Sequence, residues 1–200
     1  LAGPLLVLAS ASPRRARILE ALGVAFRVTP ADVDESLRDG EDAGAAAVRL
    51  ARAKAEAVAV AETLPVLAAD TLVVCDGAVL GKPESTEGAA SMLRRLSGRA
   101  HEVVTGVCLV ARGRARTALA RTEVRFAPLS EPEIAAYVAT GEPMDKAGAY
   151  HVDGIGALFV EAVAGSPSNV AGLPVRVLFE LAREAGVPLV TGLAPPRPPV

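Results

Sequence analysis

Glutamine is absent from the 200 residues, asparagine occurs once, as Asn169, and lysine occurs only at positions 54, 82 and 146. Arginine supplies the other 18 of the 21 basic residues. Such a bias fits a GC-rich genome or a thermophile, since scarcity of amide side chains is one thermophile tendency. It also singles out the three lysines as candidate positions where a compact ammonium serves and a guanidinium fork does not. Aromatic residues make up 3%, which leaves few stacking platforms for single-stranded nucleic acid. A net charge of -2 lacks the basic excess that phosphate-backbone binders rely on, so no nucleic-acid partner is expected. No apolar run reaches the roughly 18–20 residues of a membrane span, so no membrane partner is expected either. The first apolar run is short and has no basic segment before it, which points away from a secretory signal and towards a cytoplasmic enzyme. Cys75 and Cys108 lie in apolar strand-like runs without metal-type spacing and read as buried free thiols. His101 and His151 are isolated and read as solvated or internally satisfied side chains.

What is present begins with an abrupt junction. Residues 5–9, Leu-Leu-Val-Leu-Ala, form a short apolar strand that runs into Ser10-Ala11-Ser12-Pro13-Arg14-Arg15. Ser12 suits an N-cap and Pro13 the first helical position, with Ile18, Leu19 and Leu22 at helical spacing in a helix over 13–22. A helix start carries unpaired N–H groups and partial positive charge, and Arg14 and Arg15 add bidentate donors, so the junction can hold an anion. Further along, alternation and breakers predict a strand at 24–28, a long helix over 42–62 and a buried strand at 66–75. An Asp76-Gly77 turn leads into a return strand at 78–80. A helix over 86–96, strands at 101–111 and 116–127, and a helix from Pro132 to about Thr140 come next. Beyond them lie a strand near 157–163, a helix over 174–185 and a strand at 188–190. One domain over residues 1–192 is expected, with a Pro-rich tail at 193–200 that frays. The arrangement reads as an α/β fold, a mixed sheet flanked by helices.

Several residues carry chemistry. Asp70 interrupts the apolar strand Ala68-Ala69-Asp70-Thr71-Leu72-Val73-Val74, where an unpaired carboxylate is costly, so it is expected to meet a cation, a metal or water at a cleft, the alternative being a turn cap or a pair with a buried arginine. Lys82 sits in Gly81-Lys82-Pro83 on a backbone constrained by proline one hairpin away. Lys54 lies on the long helix, and Asp32, Asp34 and Glu35 form an acidic loop able to offer oxygen ligands to a hard divalent cation. There is no Walker A, dinucleotide-type or kinase pattern. Together these residues suit metal-assisted chemistry on a phosphate compound.

Seven stretches also resemble, in order, the Maf family of nucleoside triphosphate pyrophosphatases. They are Leu8–Arg15, Ala47–Ala55, Ala69-Asp70-Thr71, Leu80–Pro83, Thr105-Gly106-Val107, Asp145–Tyr150 and Asn169–Pro174. The resemblance implies an elongated fold with two lobes around a central cleft, similar to inosine triphosphate pyrophosphatase, and a possible homodimer. It implies hydrolysis of the α–β phosphate bond of a nucleoside triphosphate, with a divalent metal cation (Mg, Mn or Co) as cofactor. By the same resemblance Asp70, Lys82 and Glu35 are the catalytic set, Glu35 and Asp70 the metal ligands. Ser10, Arg14, Arg15 and Lys54 would hold the substrate phosphates. Thr71 resembles the subgroup acting on dTTP and UTP, whereas glutamine there would suit the 7-methyl-GTP subgroup. That dTTP/UTP pattern usually has Gly-Ile-Gln-Gly where this chain has His151-Val152-Asp153-Gly154. An ionised Asp153 only accepts hydrogen bonds where glutamine would also donate, so a broader or shifted base preference is expected. The competing reading of another class is a nucleotide sensor without catalysis that acts on cell division; retention of Asp70, Lys82 and the acidic loop argues against it.

Overall fold

The computed structural model describes residues 3–189. Its centre is one seven-stranded mixed sheet of order β2-β1-β3-β5-β6-β7, with β4 also paired to β3. β1 (Leu6–Leu8) feeds α1 (Pro13–Ala21), and β2 (Phe26–Val28) returns parallel to β1. α2 (Ala43–Ala59) leads into β3 (Val66–Cys75), which runs parallel to β1. The hairpin strand β4 (Ala78–Leu80) precedes α3 (Thr86–Leu96). β5 (Ala100–Ala111) and β6 (Arg114–Phe126) form a long antiparallel pair turning at Arg112-Gly113. α4 (Glu131–Ala139), three short 3-10 helices, β7 (Val160–Ala164), α5 (Pro167–Val170) and α6 (Val175–Ala185) complete the chain.

The hydrophobic core is divided. On one half of the sheet, α1 and α6 cover one face with Leu19, Leu178 and Leu181 over Leu67 and Leu109. α2 covers the opposite face, with Ala51, Ala55 and Val58 over Val66, Ala68 and Cys108. The other half has its own cluster, where Leu93, Leu96, Ile134, Phe126 and Tyr150 pack on Val73 and Val103. Two packed halves on one sheet leave a cleft between them, in agreement with the two-lobed α/β expectation.

The α2 stripe is dominated by alanine for a steric reason. Gly106 of β5 has no side chain, and an added Cβ would lie 2.3 Å from the Ala47 carbonyl carbon. Helix and sheet are therefore in backbone contact. Expected and observed elements agree from β1 to β6 and at α4 and α6, with differences at the ends. The strand expected near 157–163 begins instead as a 3-10 helix over Ile155–Phe159 and becomes β7 only from Val160. Residues 188 and 189 form no strand; Val190 and the tail at 193–200 lie outside the described residues. No helix among the described residues is long and apolar enough to cross a membrane.

Candidate active site

The strands themselves create the site. β3 pairs with β1 through Val66 and Leu67 and with β4 through Val73, Val74 and Cys75, leaving residues 68–72 between the two paired stretches. Chain leaving β1 at Ser10 and chain leaving β4 at Gly81 and Lys82 both line the opening, a cleft of about 660 Å³. That volume is in the range of small-molecule sites, and crevices where strands part are where α/β sheets bind ligands.

Strand alternation then sends neighbouring residues to different partners. Asp70 shares the α2 face with Val66 and Ala68, and there it meets Lys54. Lys54 belongs to the buried stripe of α2 that includes Ala47, Leu50, Ala51, Ala55 and Val58. Its Nζ donates to Asp70 Oδ1 at 2.6 Å and stands 2.9 Å from Glu35 Oε1. Both Lys54 and Asp70 side chains are 9% exposed, whereas that of Glu35, on its loop, is 60% exposed. Asp70 Oδ2 makes no hydrogen bond among the described residues and is not sealed from the cleft.

Thr71 faces the opposite side, towards α1. Arg15 donates from Nη2 to Thr71 Oγ1 at 3.1 Å, from Nη1 to Ser10 Oγ at 2.9 Å and from Nε to the Gly172 carbonyl at 2.8 Å. Thr71 Oγ1 also lies 3.0 Å from Thr105 Oγ1. Arg15 thus ties the first strand–helix junction, β3 and the loop before α6 together, and the Thr71 hydroxyl is engaged internally. Burial lowers the Arg15 pKa and the nearby Asp70 charge opposes that shift.

Ser12 occupies the N-cap position of α1 but its hydroxyl makes no capping bond, and Pro13 has no N–H to offer. By contrast Asp42, Ser85 and Ser130 cap α2, α3 and α4 with side-chain oxygens. The positive end of α1 is left for another anion. Arg14 stands there with its Nε buried and without a partner. Its pKa is lowered by burial, while Asp145 and Asp153 oppose the shift.

The far wall is the segment from Glu142 to Gly156. Lys146 lines the cleft and pairs with Asp145, whose carboxyl is held below its usual range chiefly by that hydrogen bond. Gly148, at φ +70°, carries this segment within contact of Val73, where a Cβ would come to 2.9 Å. Glu142 anchors the C-terminal end of the wall. Its Oε1 accepts from Tyr137 Oη at 2.8 Å and from the Gly156 amide at 3.0 Å, and its Oε2 accepts from the Ile155 amide at 3.1 Å. His151 lines the cleft with Nε2 buried and unpartnered. Burial first, then Arg14 and Lys146, lower its pKa, while Glu142 and Asp153 oppose the shift. Tyr150, also lining the cleft, is held from behind by the buried His101, Nε2 to Oη 2.9 Å.

Eight of the nine residues to which the family resemblance gave a role line this one cleft: Ser10, Arg14, Arg15, Glu35, Lys54, Asp70, Thr71 and Lys82. Asp153 is exposed and does not line it, although its charge reaches Arg14. Asp32 and Asp34 stay outside; Asp34 instead accepts from the Ser36 amide and hydroxyl, a local turn. Sequence reasoning did not assign Asp145, Lys146, Tyr150 and His151 to the site. For Lys146 the signal was there, since all three lysines of the chain line the cleft.

A two-lobed α/β protein whose central cleft sets six basic side chains against three carboxylates is shaped for a strongly anionic small molecule. The Maf family pattern, described as Maf-like protein, matches residues 5–185, and the chain belongs to that family. The dTTP/UTP pyrophosphatase of Anaeromyxobacter sp. (strain Fw109-5) is 57% identical over 189 residues, 92% of this chain and 91% of that protein. That of Methylobacillus flagellatus is 49% identical over 183 residues, 90% of this chain and 92% of its own. Among solved structures, the Staphylococcus aureus Ham1 protein superimposes with a TM-score of 0.53 at 15% identity, covering 90% of this chain and 98% of that one. This likeness concerns the fold.

Proposed function

We propose that the protein is a nucleoside triphosphate pyrophosphatase that cleaves the α–β phosphate bond, releasing a nucleoside monophosphate and pyrophosphate. The observation that carries this reading is the buried Asp70 carboxylate, paired with Lys54 and open through Oδ2 to a cleft also lined by Arg14, Arg15, Lys82 and Lys146. A triphosphate supplies the negative charge that such a set lacks, and its cleavage needs an attacking water held beside a carboxylate. Asp70 Oδ2 orients that water and takes its proton. Lys54, Lys82 and the open start of α1 neutralise charge that grows on the phosphate oxygens in the transition state. Arg15 acts by holding Ser10 and Thr71 in place.

A divalent cation fits this donor set in one specific sense. Among the described residues no group of three or more His, Cys, Asp or Glu side chains comes together, which disfavours a cation held by protein alone. Two carboxylates, Asp70 and Glu35, remain, and hard cations such as Mg²⁺ bind through one or two carboxylates completed by phosphate oxygens and water. When bound, the cation supplies charge neutralisation and lowers the pKa of water.

For the base, dTTP and UTP are the expected substrates, as for the two relatives, within a wider range. The wider range rests on His151, which lines the cleft where the dTTP/UTP subgroup pattern has glycine, and on Asp153, which stands exposed outside that lining where the pattern has glutamine. The test is pyrophosphate release from the common, deoxy and modified triphosphates with Mg²⁺, Mn²⁺ and Co²⁺ in parallel. Turnover of dTTP and UTP alone would refute the wider range. No pyrophosphate from any of them would refute the activity.

A further inference from the structure

The ammonium of Lys54 stands where a cation shared by Asp70 and Glu35 would stand. Its Nζ is 2.6 Å from Asp70 Oδ1 and 2.9 Å from Glu35 Oε1, so one ammonium serves both carboxylates. The side chain is 9% exposed and rises from a helix stripe whose neighbours, Ala51 and Ala55, are fully buried. A charge that deep is held by its partners, and no other carboxylate pairs with it among the described residues.

We infer that Lys54 is an internal competitor for the metal position, so that the nucleotide-free protein binds free divalent cations poorly and acquires its cation together with the triphosphate. This deepens the proposed function and rests on its metal requirement. A free cation approaching Asp70 Oδ1 and Glu35 Oε1 meets an ammonium already hydrogen-bonded to the first and ion-paired with the second, and like charges at that separation repel. The two oxygens left over, Asp70 Oδ2 and Glu35 Oε2, belong to carboxylates still paired with the ammonium, and two such ligands are too few for a hard cation without phosphate oxygens. An incoming triphosphate changes both conditions. Its oxygens offer Lys54 a new anionic partner and complete the coordination of the cation, while Asp70 and Glu35 are released from the ammonium. Metal and nucleotide therefore bind with positive coupling, and by linkage the nucleotide is tightened by the same factor as the metal. The consequence for the free enzyme is that Asp70 stays paired and dry of metal until substrate arrives.

The test measures Mn²⁺ binding directly, by loss of the free-ion electron paramagnetic resonance signal and by calorimetry, with no turnover involved. Wild-type protein and Lys54→Met are titrated without nucleotide, and the wild type again with a non-hydrolysable α,β-methylene triphosphate. The expected results are that Lys54→Met binds Mn²⁺ about tenfold or more tighter than wild type, and that the analogue raises wild-type Mn²⁺ affinity beyond that of analogue alone by a similar factor. Equal Mn²⁺ affinity in wild type and variant overturns the competitor role. Tight Mn²⁺ binding by nucleotide-free wild type overturns it too, and that arm needs no variant should Lys54→Met fail to fold. In both of those cases the metal requirement itself survives. Absence of bound Mn²⁺ from wild-type protein saturated with the analogue would instead remove the metal reading and this inference with it.

Discussion

Gly106→Ala is the substitution most sharply defined by the geometry. Gly106 pairs across β5 with Asp70 and lies under α2, where an added Cβ would stand 2.3 Å from the carbon and oxygen of Ala47 and 2.4 Å from the nitrogen of Val48. Carbon atoms need about 3.5 Å or more, so the α2 backbone must lift by about 1 Å. Helix backbone cannot rotate aside as a side chain can, which puts the cost at the upper end of overpacking, about 3 kcal/mol. For a protein of this size that corresponds to a fall in Tm of roughly 6–12 °C. The same lift acts on Lys54. Its 2.6 Å bond to Asp70 would open by about 1 Å, beyond hydrogen-bonding range. Thermal unfolding by calorimetry, with pyrophosphate release at 25 °C where the variant is still folded, reads both effects. The expectation is a lowered Tm together with a lowered kcat. Adding Ala47→Gly should rescue neither, because the obstructing atoms are backbone. A Tm within about 2 °C of wild type with unchanged kinetics would show that helix and strand are not in the close contact described, and would refute the reasoning.

Asp70→Asn should leave nucleotide binding measurable by calorimetry while abolishing turnover; near-normal turnover would remove Asp70 from its assigned role. Arg15→Lys should weaken both stability and turnover, because one ammonium cannot reproduce three bonds to Ser10, Thr71 and Gly172; a loss of about 1–3 kcal/mol in urea unfolding is expected. His101 predicts an acid-side loss of stability, since burial pushes its pKa down to about 4 from 6.5. Between those values the unfolded chain binds the proton and the folded one does not, so stability is complete above about pH 6.5 and falls by about 3 kcal/mol as pH drops to 4. His101→Gln, which keeps a hydrogen-bonding group near Tyr150, should flatten that slope in denaturation curves taken across the window, and an unchanged slope would assign it to other groups.

Much of this was legible in the sequence because local rules and tertiary packing agree. The apolar β3 run and the Asp76-Gly77 turn fixed their elements to within a residue, and the helix expected from Pro132 to about Thr140 is α4, one residue earlier at each end. Asp70 announced itself as a charge in an apolar strand, and alternation alone puts it on the opposite face from Thr71. The scarcity of lysine was informative as well, since Lys54, Lys82 and Lys146 all line the cleft. Other features were hidden for physical reasons. Ser12 has the residue type of a cap without its bond, while its amide donates to Ser10 Oγ, which also accepts from Arg15. The Glu142–Gly156 wall consists of short 3-10 turns pinned by Glu142, and such turns carry no hydrophobic period to read. The Gly106 contact spans sequence-distant elements, so the glycine is visible from sequence but its reason is not.

Asp70 and Thr71 tie the cleft to two different helices. Successive residues of one strand point into different cores, and each is tied to a helix through a single cation. Asp70 is bound to α2 by Lys54, and Thr71 is bound to α1 and to the loop before α6 by Arg15. Movement of α2 therefore alters the carboxylate without disturbing the Arg15 fork. Movement of α1 alters the fork and the open helix start without disturbing the Lys54 pair. On the proposed function, the Asp70–Lys54 pair on one face of β3 and the open start of α1 on the other can accordingly be perturbed separately by mutation. Perturbations of α2 should appear first in kcat, and those of the α1 junction first in KM.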